Sequence, residues 1–188
     1  YSTKEPVRIT ANKDYEIRDS DGLLLTVEQA GSISTIVFDW VLKAYTLTTQ
    51  KVSLGTLKYL RFGGVRPDIP SSPEGLQPAV TTDQDIIFEI PSYTNHPSWS
   101  STLNDNTFRS LLEVRYASAT NRLWVVNELR LENYLKGIGE TSNSSPYEYQ
   151  KALLVAARTY AKYHVDRSTK HAADGFTVSP TEADQVYR

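Results

Sequence analysis

The apolar residues of this chain change their period once, and the change falls at Asn127. Upstream, short β-branched or aromatic runs are separated by turn signals about every ten residues, which is the pattern of a small antiparallel sheet. The runs are Val7-Arg8-Ile9, Tyr15-Glu16-Ile17, Leu23 to Val27, Ser34 to Trp40 and Tyr45 to Val52, with Asp19-Ser20-Asp21-Gly22 as one of the intervening turns. Gly63 to Gly75 is dense in Pro and Gly without periodicity, so a long loop is expected near 63–84. Ile86 to Ile90 resumes a strand, and Tyr93 to Trp99 is irregular and aromatic. Phe108 to Tyr116 and Arg122 to Asn127 then read as a hairpin joined by the turn Ala117 to Asn121.

Downstream of Asn127 the period is about 3.6. Leu131, Tyr134 and Leu135 define a short helix that stops at Gly137. A longer helix is predicted from Tyr147 to His164, with Ser145 as N-cap, Pro146 at the first helical position and Glu148 completing a capping box. Its buried face would carry Tyr149, Leu153, Ala156, Ala157 and Tyr160, and a second face Lys151, Val155, Arg158 and Lys162. A short strand is expected at Gln185-Val186-Tyr187. The fold class is therefore α+β: an antiparallel β-rich N-terminal region over residues 1–105, then a strand hairpin, a short helix and one long amphipathic helix over 106–188.

Several functions are disfavoured by composition. Twenty Lys and Arg against 22 Asp and Glu give a net charge of −2, with no basic footprint for nucleic acid. The absence of cysteine removes disulfides, thiol catalysis and thiolate-ligated metal. No run approaches the roughly 18 apolar residues of a transmembrane helix.

Val126-Asn127-Glu128-Leu129-Arg130-Leu131-Glu132-Asn133-Tyr134-Leu135-Lys136-Gly137-Ile138-Gly139-Glu140 resembles the N-E-L-x-L-E-x-Y-L-x-G-V segment of the stage II sporulation protein D family, the SpoIID/LytB or amidase-enhancer domain. Further matches follow in order: Lys151-Ala152, Ala156-Ala157-Arg158-Thr159-Tyr160, His171, Gly175-Phe176-Thr177-Val178 and Gln185-Val186-Tyr187. They cover about Phe108 to Arg188, somewhat under half the chain. The resemblance implies a lytic transglycosylase of the bacterial cell wall, exported to the cell surface. Such an enzyme cleaves peptide-stripped peptidoglycan between N-acetylmuramic acid and N-acetylglucosamine and leaves a 1,6-anhydro end. The partners implied are peptidoglycan glycan strands and, in the amidase-enhancing variant, a wall amidase. A non-catalytic wall-binding module is the alternative. Family domains continue past the Gln-Val-Tyr segment into more strands and a Ser-Gly-Gly stretch, so the domain is expected to be incomplete at its C-terminal side.

Glu140 falls where the family places its catalytic glutamate, and one carboxyl group suffices for this chemistry, because the sugar's own C6 hydroxyl is the nucleophile. The bland alternative is a solvated loop glutamate. Arg158 matches the family arginine at the family's interval from Glu140; its fork would hold a carboxylate or a sugar substituent, or staple the helix to the loop carrying Glu140. Lys151, Tyr160 and Gln185 are the remaining residues expected to bind substrate or order the site. Glu128 and Glu132 flank a strand-to-helix junction, with Glu132 in the first helical turn, and Asn127 reads as a turn or cap residue. Tyr93 and Trp99 are candidates for stacking on sugar rings.

The departures are specific. Gly139 stands for the family's serine, Thr141-Ser142 for its Met-Pro, and Leu153 for its glutamine. Two cysteines that bind zinc with a histidine in some members are Ser179 and Asp184 here, so no zinc and no other cofactor is expected.

Overall fold

The computed structural model describes residues 1–48, 52–53, 58–65, 86–97 and 99–188. Twelve strands are formed among them: β1 (Ser2–Thr3), β2 (Val7–Ala11), β3 (Tyr15–Asp19), β4 (Leu24–Glu28), β5 (Ser34–Asp39), β6 (Ala44–Leu47), β7 (Val52–Ser53), β8 (Tyr59–Gly64), β9 (Ile87–Glu89), β10 (Thr107–Arg109), β11 (Leu111–Ala117) and β12 (Arg122–Glu128). Two helices follow, α1 (Leu131–Lys136) and α2 (Tyr147–Arg167). The α+β class and the order of its parts are as the periodicity predicts.

Alternation sets which side of each strand is buried. Val7, Ile9 and Ala11 of β2, Ile36 and Phe38 of β5 and Leu60 and Phe62 of β8 all lose their solvent. The strands form two six-stranded sheets, ordered β1-β12-β11-β8-β3-β4 and β10-β9-β2-β5-β6-β7. Residues of both contribute to one apolar cluster with Tyr15, Ile17, Tyr45, Phe88, Leu112 and Leu123 at its heart. Each such side chain contributes on the order of 1.5–3 kcal/mol by leaving water.

One stretch of chain serves both sheets. The strand expected over Phe108 to Tyr116 is broken at Ser110, whose φ of 78° lies in the left-handed region. Before the break β10 pairs with β9; after it β11 pairs with β8 in the other sheet. Asn127 sits opposite the break, and its Nδ2 donates to the carbonyls of Arg109 at 2.7 Å and Leu111 at 2.9 Å. Asn127 is thus a clamp on the sheet crossover, correcting its reading as a turn or cap residue.

β8 was not visible in the periodicity, because Gly63 and Gly64 look like the start of a loop. They pair instead with Glu16 and Tyr15 of β3. A Cβ on Gly63 would lie 2.6 Å from Leu111 Cδ2, so the bare glycine leaves room for the Leu111 side chain in its present rotamer. The rest of the expected Pro/Gly-rich loop, from residue 66 to 84, lies outside the described residues.

Contacts divide the chain into Tyr1–Tyr116 with Arg122–Glu128, and Ala117–Asn121 with Leu129–Arg188. The expected boundary between 105 and 106 falls just before β10, and β10 to β12 pair into the sheets of the first unit. In the second unit α1 ends at Gly137 as predicted. α2 begins at Tyr147, but the capping box does not form. Pro146 is the cap residue, and the Ser145 hydroxyl is taken up by Thr141 at 2.8 Å. Glu148 turns to Lys151 at 3.0 Å, and Gln150 Nε2 donates back to the Ser145 carbonyl at 2.7 Å. The buried face of α2 is Ala157, Ala161 and His164, with Leu153 and Tyr160 half-buried; Tyr149 and Ala156, expected on it, are exposed. Among the described residues no helix is long and apolar enough to cross a membrane.

Asn127→Ala strips two carbonyls of a shared donor and is expected to cost about 2 kcal/mol in urea unfolding of the first unit. Ser110→Gly removes a side chain from a left-handed backbone position and is expected to be neutral or stabilising by up to about 1 kcal/mol in the same assay.

Candidate functional site

Glu140 is carried on the segment that leaves α1, and the chain's last described residues hold that segment. Arg188 N–H donates to the Gly137 carbonyl and Gly139 N–H to the Val186 carbonyl, both at 2.8 Å, with a β-bridge between Ile138 and Tyr187. The predicted strand at Gln185 to Tyr187 is reduced to this single bridge. Val186 N–H donates to Glu140 Oε1 at 3.3 Å, so the ladder ends on the glutamate itself. Glu140 is otherwise exposed.

Packing under the ladder is aromatic. Tyr134 and Tyr187 stack with ring centres 5.2 Å apart and planes 2° from parallel. The Tyr134 hydroxyl donates to Oε1 of the buried Gln185 at 3.0 Å. Burial, then the charge of Glu140, pushes the Tyr134 phenol far above its ordinary range, so it stays a donor. Gly137 leaves room for the stack: a Cβ there would lie 2.7 Å from Tyr187 Cζ and 2.8 Å from the Arg188 carbonyl oxygen. At Gly139 the nearest atom would be 3.4 Å away, an ordinary contact.

Beside Gln185 lies Asp184, whose carboxylate is wholly buried. Its Oδ1 accepts from the Tyr160 hydroxyl at 2.9 Å and from the Lys170 ammonium. Oδ2 accepts from His171 Nε2 at 2.6 Å and from Ser179 N–H at 2.7 Å. Burial alone would raise this carboxyl's pKa; Lys170, the Ser179 amide, His171 and Tyr160 outweigh it and hold the group well below the usual carboxylate range. The family pattern marks Asp184 only as a replaced zinc ligand and does not mark Lys170. The signal available was an acid at that position with Lys170-His171 upstream.

These contacts also test the zinc that the resemblance implies for some relatives. His171 Nε2 is committed to the carboxylate, Lys170 brings a cation to the same group, and Ser179 Oγ is engaged with Thr181 Oγ1 at 2.9 Å. A dication does not fit such a set. Among the described residues no cluster of three or more His, Asp or Glu side chains is arranged to hold a metal ion.

The other expected site residues sit elsewhere. Arg158 pairs with Glu132 at 2.7 Å, so the staple it forms runs to α1 and not to Glu140. Both partners are more than half exposed, so the pair is worth under about 1 kcal/mol. They flank an open groove of about 300 Å³ that is lined also by Leu135, Lys136, Leu154 and Val155. Lys151 pairs with Glu148 and lies over the Tyr147 ring at 4.4 Å. Glu128 is bound by Arg61 in the first unit. Also in that unit, Tyr93 stacks on Tyr1 at 4.2 Å, which occupies one of its faces, while Trp99 is largely exposed. The structure therefore joins Glu140, Tyr160 and Gln185 through residues 184–188, while Arg158 is paired with α1 and Lys151 with Glu148, both apart from that set.

Residues 119–188 match the family model SpoIID, stage II sporulation protein, so the resemblance carried by the motifs holds over that segment. The family is related to sporulation and the cell wall. An uncharacterized protein of Brachyspira hyodysenteriae is 40% identical over 82 residues, which is 43% of this chain. The chain matches only 21% of that relative's length. No solved structure matches.

Gly137→Ala is expected to lower the thermal midpoint of the second unit, at a cost of about 1–3 kcal/mol from the forced shift of Tyr187 and Arg188. Gly139→Ala, with ordinary contacts, is expected to change it little. Asp184 adds a pH dependence of defined sign. Its folded pKa lies below the ordinary 3.8, so its contribution is complete above that value and drains as pH falls through it. Urea unfolding of the second unit is expected to weaken steeply between about pH 4 and pH 2, and Asp184→Asn to flatten that fall.

Proposed function

We propose that segment 119–188 carries the catalytic acid of a peptidoglycan lytic transglycosylase, with Glu140 as acid and then base. What supports the reading is the collinear motif set from Asn127 to Tyr187, together with the ladder whose last amide donates to Glu140. Protonated Glu140 would give its proton to the oxygen between N-acetylmuramic acid and N-acetylglucosamine. The bond from C1 to that oxygen breaks, leaving positive charge spread over C1 and the ring oxygen. The new carboxylate then takes the C6 hydroxyl proton while that oxygen closes on C1, which gives the 1,6-anhydro end and returns Glu140 to its starting state. A substrate in the wall requires export, and peptide-stripped glycan asks little of a chain with a net charge of −2.

A second reading is a wall-binding or amidase-enhancing module without the chemistry. The exposure of Glu140 and the unlike neighbours Gly139, Thr141 and Ser142 favour it.

Digestion of peptide-stripped glycan by the full-length protein is expected to yield 1,6-anhydro ends. Glu140→Gln should reduce the yield by about 10²–10⁴-fold with an unchanged thermal midpoint. Glycan binding without turnover in the unaltered protein would select the second reading, and neither binding nor turnover would remove both.

A further inference from the structure

Within the second unit Asp184 is a convergence point of a kind that a surface ion pair is not. Its side chain has no solvent, and it accepts from four groups spread over three stretches of chain: Tyr160 on α2, Lys170 and His171 after α2, and Ser179. A buried carboxylate with both oxygens satisfied fixes the backbone to which it is attached, because moving it would strand the charge or its donors. The residues next along the chain are those that hold the Glu140 segment, by the bonds from Gly139 N–H, Val186 N–H and Arg188 N–H. Hydrogen bonding from Lys170, Ser179, His171 and Tyr160 also keeps the group ionised against its burial, so the carboxylate is the form that does the holding.

We propose that Asp184 is a positioning residue: a metal-free anchor that ties residues 184–188 to α2 and the 168–179 loop, and through them sets the place of Glu140. The anchor stands on the geometry alone, whereas its effect on turnover rests on the proposed role of Glu140. It takes the position where zinc-binding relatives have a cysteine, and it does so with Lys170 supplying the positive charge.

The test reads amide hydrogen exchange in the full-length protein, with and without Asp184→Asn. In the unaltered protein the amides of Gly139, Val186 and Arg188 should be protected. Asp184→Asn should lower that protection by about 10–100-fold, while Ala157→Gly, which loosens α2 without touching the hub, should leave the three amides in step with the rest of the unit. Lys170→Gln keeps the carboxylate and its other three donors, and should give a smaller loss at the same amides; it carries the test if Asp184→Asn does not fold. Protein purified without added metal should hold under about 0.1 zinc per chain and keep its thermal midpoint in EDTA. On glycan, Asp184→Asn should lower kcat by about tenfold or more with KM within about twofold, a split that Ala157→Gly should not show. Stoichiometric zinc whose removal unfolds the unit would overturn the anchor, as would full protection of the three amides in both hub variants. Lost protection with undiminished kcat would overturn the positioning role. Lost protection in a protein that never cleaves glycan would leave the anchor standing and remove the reading of Glu140.

Discussion

In the first unit a backbone break carries the chain directly from a strand of one sheet into a strand of the other. The chain changes sheet several times, but between β10 and β11 it does so within a single residue, Ser110, in a left-handed conformation. The break costs backbone energy and interrupts the ladder at the carbonyls of Arg109 and Leu111. Asn127 offsets both by donating to these two carbonyls from β12. Gly63 completes the arrangement by letting Leu111, the first residue after the break, lie against β8. Ser110, Asn127 and Gly63 together thus shape the crossing that runs from strand to strand beside this apolar cluster.

The second unit is held by different means. Few of its residues are fully buried, and its order comes from a short backbone ladder, a stacked tyrosine pair and one enclosed carboxylate. Each ion pair of this unit on an exposed helix face, Arg158 with Glu132 or Lys151 with Glu148, is screened by water and adds little. Asp184 differs because its partners and its burial act together.

Much of this was legible in the residues. Alternation and turn signals located β2 to β5 and the β11–β12 hairpin, and the change of period at Asn127 located both helices. What escaped had physical reasons. β8 ends in two glycines, which read as loop unless one knows that Leu111 packs against them. The capping box failed because Ser145 found a nearer partner in Thr141. Asn127 looked local because its acceptors lie sixteen and eighteen residues away. At the site, motif spacing picked out Glu140, Tyr160 and Gln185, which the fold does bring into one connected set. The partner of Arg158 could not be read from spacing, because the sequence offers both Glu132 and Glu140 as acids and only the packing of α1 on α2 selects Glu132.

The path of the chain has a consequence for any attempt to divide the protein. The hairpin turn Ala117–Asn121 groups with the second unit, where Thr120 Oγ1 donates to Asp174 at 2.8 Å, although the strands on either side of it belong to the first. The backbone therefore passes from one unit to the other three times, and no single cut yields both as intact fragments. A piece ending at Glu128 carries a turn stripped of its neighbours, and one beginning at Leu129 lacks the threonine that tethers Asp174.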